Sequence, residues 1–203
     1  TDNPFLDGFG FAREAQQMSL IMNWVLDNNI TISSITASNE NRWMALDDLD
    51  RRATANDPMK DVSLLNGRDL EDFSQEIRVS SAQNRRLRWL VGVSRFKFEG
   101  KRTSGFHIFN SVRSLSLGNV FDIETTGVFA AIEYDVTDAL TINVEGRKQK
   151  DEVEEARSSG DELVSGTFNS ATPKLVIDYS LNNDVTIYGS YGEGTRPGGF
   201  NVN

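Results

Sequence analysis

The chain has no cysteine, which excludes a disulfide framework and any thiolate metal site. It has one histidine, His107. That argues against a catalytic triad, a two-histidine metal site and a histidine switch. Long hydrophobic runs are also missing. The longest apolar stretches, Ser19–Leu26 and Leu87–Val93, are broken by polar or small residues. Neither approaches the roughly 18 apolar residues that a membrane helix needs. A membrane strand stays open, because it needs only about 9–11 residues with every second one apolar. Basic residues are outnumbered: 21 Lys and Arg stand against 30 Asp and Glu, a formal charge of −9. No basic stripe exists to neutralise phosphates, so nucleic acid is not an expected partner. The first residue is Thr, and no charged segment leading into an apolar one opens the chain. The sequence therefore reads as a mature protein or a fragment.

What is present is a repeating pulse of alternating runs and tight turns. Val128, Ala130, Ile132, Tyr134 and Val136 alternate with Phe129, Ala131, Glu133 and Asp135. After Thr137-Asp138, Leu140, Ile142, Val144 and Gly146 alternate with Thr141, Asn143, Glu145 and Arg147. A period of two on both sides of a short turn predicts a β-hairpin. The same pattern recurs three times. Met18, Leu20, Met22 and Trp24 lead through Asp27-Asn28-Asn29 into Ile30 and Ile32. Phe73, Gln75, Ile77 and Val79 lead through Ala82-Gln83-Asn84 into Leu87, Trp89, Val91 and Val93. Leu175, Ile177, Tyr179 and Leu181 lead through Asn182-Asn183-Asp184 into Val185, Ile187, Gly189 and Tyr191. The expectation is four hairpins and eight antiparallel strands, an all-β fold.

Two strands lose phase, at Ile35 and at Phe96. A one-residue slip exchanges the two faces, so either a β-bulge sits there or the strand enters a wetter zone. The connections are asymmetric. One end of each hairpin closes tightly, while the links around 41–72, 100–124 and 151–169 are long and polar. Soluble domains rarely carry several such loops, whereas outer-membrane barrels combine short periplasmic turns with long outer loops. Periodicity alone leaves two readings. In a soluble sandwich or adhesin-like binding module the apolar face turns inward. In a large barrel it faces lipid, and Glu76, Arg78, Glu133, Asp135, Glu145 and Arg147 face a polar lumen. Trp24, Trp89, Tyr134 and Tyr179 fall near the short turns, where an interfacial aromatic belt would lie.

Specific strings resemble the barrel of TonB-dependent outer-membrane receptors. They are Thr31–Ala37, Phe73–Ser81 with Leu87–Val93, Ala130–Asp138, Thr172–Tyr179, and the late Gly192-Glu193-Gly194-Thr195-Arg196-Pro197-Gly198-Gly199-Phe200-Asn201. They occur in the family's order from about Gln17 to Asn201. The resemblance implies an up-and-down transmembrane β-barrel of 22 strands filled by an N-terminal plug domain. It implies import of a scarce nutrient, of the siderophore-iron, cobalamin or oligosaccharide class. It also implies outer-membrane lipid and the TonB complex as partners. On this reading residues 1–203 are a partial barrel of about eight strands, with the plug and the terminal strands outside the sequence. No cofactor and no enzymatic activity are expected.

Arg78, Glu145, Arg147 and Lys174 are the candidate substrate-binding residues of the lumen. Contact with a plug or an anionic substrate stands beside a plain network of paired charges. His107, in a Gly/Ser-rich stretch, reads as loop decoration. Asp47, Asp48 and Asp50, and Asp151, Glu152, Glu154 and Glu155, read as solvated loop carboxylates. They lack the spaced Asp/Asn pattern with a glycine that a calcium loop needs. Gly8-x-Gly10 and Gly192-x-Gly194 lack the third glycine and the helix of a phosphate-binding loop. Gly198-Gly199 reads as a relaxation of the chain on leaving a strand. No serine has a partner histidine and acid to activate it, which sets a barrel enzyme below both the transporter and the binding module.

Overall fold

The computed structural model describes residues 9–49, 62–108, 111–156, 163–196 and 198–200. Asp50 and Asn201 lie outside them. Eight strands follow one another: β1 (Gly10–Val25), β2 (Thr31–Asp48), β3 (Val62–Ser80), β4 (Leu87–Ile108), β5 (Ser111–Asp135), β6 (Leu140–Ala156), β7 (Val164–Ser180) and β8 (Thr186–Gly192). They form one sheet in chain order, each antiparallel to its neighbours. This is the up-and-down topology that hairpins in series must give, since each tight turn returns the chain beside itself.

The short turns are built by side-chain capping. Asn29 takes a positive φ of 61° and donates its backbone N–H to the Leu26 carbonyl at 2.9 Å. Asparagine tolerates that left-handed conformation better than most residues. The Thr137 hydroxyl accepts from the backbone N–H of Leu140 at 3.0 Å. The Asn182 side-chain oxygen accepts from Asp184 and Val185, both at 2.9 Å.

The other ends correct the sequence reading. The links expected at 41–72, 100–124 and 151–169 are largely strand. β2 runs on to Asp48 and β3 begins at Val62, while β4 and β5 continue to Ile108 and from Ser111. β6 reaches Ala156 and β7 starts at Val164. Their ladders stay hydrogen-bonded where apolar and polar residues no longer alternate regularly, so the ladder outlasts the alternation that announces it. His107 therefore lies in β4 opposite Ser63, not in a loop. Asp47, Asp48, Asp151, Glu152, Glu154 and Glu155 likewise lie in β2 and β6. Neither phase loss is a bulge. Registers run unbroken through Ile35 and Phe96. The irregularities fall higher, between Lys101 and Thr103 and between Phe106 and His107. Ile35 and Phe96 simply lie on the same face as Ser33, Glu76 and Ser94, which also carries Ile21, Leu90 and Phe129.

The two faces resolve the inversion that periodicity leaves open. On β5 the apolar row is the exposed one, with Ile132 at 52% and Tyr134 at 46%. The alternating polar row is half-buried. Side chains on the inside of a curled sheet shield one another, so the polar face is concave and the apolar face convex. Among the described residues only Val153 and Ala156 are buried hydrophobics. No second sheet covers the convex side among them. The inward-packed sandwich therefore does not describe this chain. A continuous apolar surface of this extent marks a membrane or interaction face. Trp24, Trp89, Tyr134 and Tyr179 all belong to that convex face, within a few residues of the short turns.

Candidate functional site on the concave face

Register sets three rows across the concave face that carry its charged residues. Nearest the turns, Arg88 of β4 stands beside Glu133 of β5, which stands beside Asn143 of β6. In the next row Leu90, Ala131, Glu145 and Lys174 are successive neighbours. In the third, Arg78, Gly92, Phe129, Arg147 and Thr172 are successive neighbours. All four residues singled out in the sequence thus face the concave side.

The structure brings three of them into one hollow. A depression of about 410 Å³ is lined by Leu90, Phe129, Glu145, Arg147, Thr172 and Lys174, among others. Lys174 Nζ lies 3.3 Å from Glu145 Oε1. Arg147 donates from Nε to Gln149 Oε1 at 2.9 Å and from Nη2 to Ser94 Oγ at 3.1 Å. Its guanidinium also sits 5.9 Å from the centre of the Phe129 ring, within cation–π range. Arg147 has no carboxylate partner among the described residues. Arg78 stands apart from the hollow, with Nη1 3.7 Å from Glu76 Oε1.

Two glycines make this arrangement fit. A Cβ at Gly92 would lie 2.3 Å from Phe129 Cζ, and one at Gly127 would lie 2.8 Å from Arg147 Nη2. The ring and the guanidinium lie flat against the wall because nothing stands beneath them.

Two features were missed in the sequence. The first is Arg88, which donates from Nη1 and Nη2 to the two oxygens of Asp135, each at 2.6 Å. It also pairs with Glu133. Thr141 donates to Asp135 at 2.9 Å, and Asn143 to Glu133 at 3.4 Å. The planar fork of Arg matches a carboxylate in this bidentate way. The signal was available: once the two hairpins are laid side by side, Arg88 falls opposite Glu133. The second is the burial of Asp151, which the sequence suggested as a solvated loop carboxylate and which is only 1% exposed. Asp151 accepts from Thr125 Oγ1 at 2.7 Å and Gln149 Nε2 at 2.8 Å. Gln149 thus links the Arg147 guanidinium to this buried carboxylate. Beside it Phe168 faces Phe200 at 6.1 Å. A Cβ at Gly198 would lie 2.2 Å from the Phe168 ring, so that glycine is required by close packing.

The hollow offers a guanidinium held by neutral groups, an ammonium shared with one carboxylate, a hydroxyl and an aromatic face. That set suits hydrogen bonding to an anionic group. Among the described residues no three His, Cys, Asp or Glu side chains converge to hold a metal.

Comparison with known proteins gives a consistent answer. A family model described as TonB dependent receptor-like, beta-barrel matches residues 3–203. The structure resembles the ferric yersiniabactin uptake receptor FyuA of Yersinia pestis at a TM-score of 0.67 and 15% identity, covering 92% of this chain and 29% of that one. It resembles the alcaligin outer-membrane receptor FauA of Bordetella pertussis at 0.62 and 14%, covering 90% and 29%. The ferric citrate transporter FecA matches at 0.65 and 14%, covering 90% and 27%. At such identities the likeness is one of fold. The chain spans less than a third of each of these proteins. No curated protein matches the sequence.

Proposed function

The chain belongs to the TonB-dependent receptor β-barrel family, whose members are bacterial outer-membrane transport receptors and not enzymes, and from that premise we propose that its eight strands are one arc of a larger barrel that imports a scarce nutrient. The concave face lines the lumen, the convex face meets lipid, and the polar upper strands rise beyond the outer surface. A plug domain fills the lumen in this reading, and the TonB complex supplies the work of import. On this reading residues 1–203 are a partial barrel, with the plug domain and the terminal strands outside it.

Siderophore iron, cobalamin and oligosaccharide are the substrate classes that the family admits. The lumen hollow favours an anionic iron chelate. The observation that carries this choice is Arg147, whose charge has no carboxylate partner among the described residues, with Lys174 beside it. FyuA takes up ferric yersiniabactin and FecA transports ferric citrate, and both cargoes are iron chelates. Arg78 and Glu145 complete the set of lumen residues proposed to meet cargo or plug.

Uptake of radiolabelled ferric chelates by cells carrying the full receptor tests this reading. Arg147→Gln combined with Lys174→Gln is expected to slow uptake by about tenfold or more, the effect of losing charge-assisted hydrogen bonds. Surface expression is expected to stay unchanged. Equal uptake by wild type and variant would remove these residues from the transport path. Faster uptake of cobalamin than of any ferric chelate would move the substrate to another class.

A further inference from the structure

The convex face differs in chemistry from the concave one. From the short turns upward, the outer rows of β4, β5 and β6 are apolar. Leu87, Trp89, Val91 and Val93 lie on β4; Tyr134, Ile132, Ala130 and Val128 on β5; Leu140, Ile142 and Val144 on β6. Then the character changes abruptly. Arg95 lies eight residues past Leu87, and Lys148 lies eight residues past Leu140. Lys97 and Lys150 follow on the same face. A spanning strand needs about 9–11 residues, so these cations stand at the outer boundary of the apolar belt.

Two depressions meet at that boundary. One, of about 450 Å³, is lined on its convex side by Ile77, Val93, Arg95, Val128, Lys148 and Lys150, among others that include the polar Gln75, Thr126 and Asn169. The other, of about 510 Å³, includes Val128, Ala130, Gly146, Lys148, Ala171 and Pro173. Lys148 and Val128 line both. The floor is open because Gly146 carries no side chain and a Cβ there would meet nothing within 4 Å. Arg95 is engaged by Glu124 at 2.8 and 3.0 Å, and Lys150 by Glu152 at 2.8 Å. Lys148 is exposed and has no partner among the described residues.

We propose that this groove binds a phosphorylated lipid of the outer leaflet, with the headgroup phosphate on Lys148, Arg95 and Lys150 and an acyl chain along Val128, Ala130 and Gly146. The proposal rests on the convex face being the lipid face. Charge complementarity selects the occupant. An acyl chain alone fits the apolar part but leaves Lys148 unpaired at the boundary. A free phosphate satisfies the cations but leaves the apolar hollow unfilled. A phosphomonoester lipid does both, and its headgroup lies at the level where Lys and Arg side chains reach for the interface.

The test uses the full receptor in phosphatidylcholine nanodiscs doped with phosphatidic acid, with retained lipid counted by native mass spectrometry after mild delipidation. Wild type is expected to retain phosphatidic acid selectively. Lys148→Gln is expected to weaken retention about fivefold, and R95Q/K148Q/K150Q by well over tenfold. Lys101→Gln, higher on the same face, is expected to behave as wild type. Lys148→Arg is expected to keep the selectivity. Equal retention of both lipids by wild type, unchanged retention by the triple variant, or equal displacement by inorganic phosphate would each overturn the proposal. A receptor that enters the bilayer normally but shows no lipid preference sinks this site alone. A receptor that does not enter the bilayer sinks the membrane reading and the site together.

Discussion

At Gly92 and Phe129 the wall depends on the absence of a side chain. A methyl group at Gly92 would stand 2.3 Å from Phe129 Cζ, closer than any real contact. Gly92→Ala is expected to cost about 1–3 kcal/mol through overpacking. Phe129→Ala in the same chain is expected to recover much of that cost. Urea unfolding of the full receptor in detergent would measure both, and an unshifted midpoint for Gly92→Ala would show that the ring moves freely. Arg88 presents the opposite case, a charge held on all sides. Arg88→Met leaves Asp135 and Glu133 without their cation, so its unfolding midpoint is expected to fall. Arg88→Lys is expected to recover only part, because an ammonium cannot reproduce the two parallel bonds to Asp135. Full recovery by lysine would reduce the cluster to simple charge pairing. Neither feature is legible in the string of residues. Gly92 reads as one more small residue in an apolar run, and Arg88 as one more alternating polar position. Both acquire meaning only when register places Phe129 over one and Glu133 beside the other.

Strands were legible where one face is apolar and the other polar. That contrast placed all four tight turns and the lower half of every hairpin. It failed from about Arg95 on β4 and Lys148 on β6 upward, where apolar and polar residues no longer separate cleanly between the two faces and the period of two has nothing to report. Backbone hydrogen bonding has no such dependence on side-chain polarity, so β4 and β5 continue for 22 and 25 residues. Hydrogen exchange separates the two readings. Amides of Glu99–Thr103 and Val120–Glu124 are expected to be protected, as ladder amides are. Exchange at the rate of a free loop would return these segments to the connections that the sequence suggested. The faces themselves can be tested within one element. Ile132→Arg, on the convex side of β5, is expected to cost about 2–4 kcal/mol in a bilayer. Ala131→Arg, one residue away on the polar side, is expected to cost much less. Similar penalties for the two would mean that the convex face does not meet lipid. The candidate site was legible to the same degree as the strands. Alternation put Arg78, Glu145, Arg147 and Lys174 on the polar face, but only the offset between hairpins gathers three of them in one hollow and leaves Arg78 outside it.

A single sheet with an apolar convex face and two free edges cannot be at rest alone. Among the described residues, β1 offers 16 residues and β8 offers 7 along edges that no other strand covers. In lipid each unpaired backbone group costs several kcal/mol, so the sum over these edges far exceeds the net stability of a typical domain. Water is no better, since it would meet the exposed row that includes Met18, Leu20, Trp24, Ile132 and Ile187. Closure by further strands removes both costs at once, because a barrel has no edges and its outer surface is matched to lipid. This is the physical content of the proposal that the eight strands are one arc of a larger wall. Residues 1–203 refolded alone in detergent are therefore expected to give edge-paired oligomers. The full receptor is expected to give a single species whose mobility on a gel shifts on heating. Chemical crosslinking and light scattering would tell them apart. A monodisperse monomer of these 203 residues with protected β1 and β8 amides would show that the arc closes on itself, and the larger barrel would fall with it.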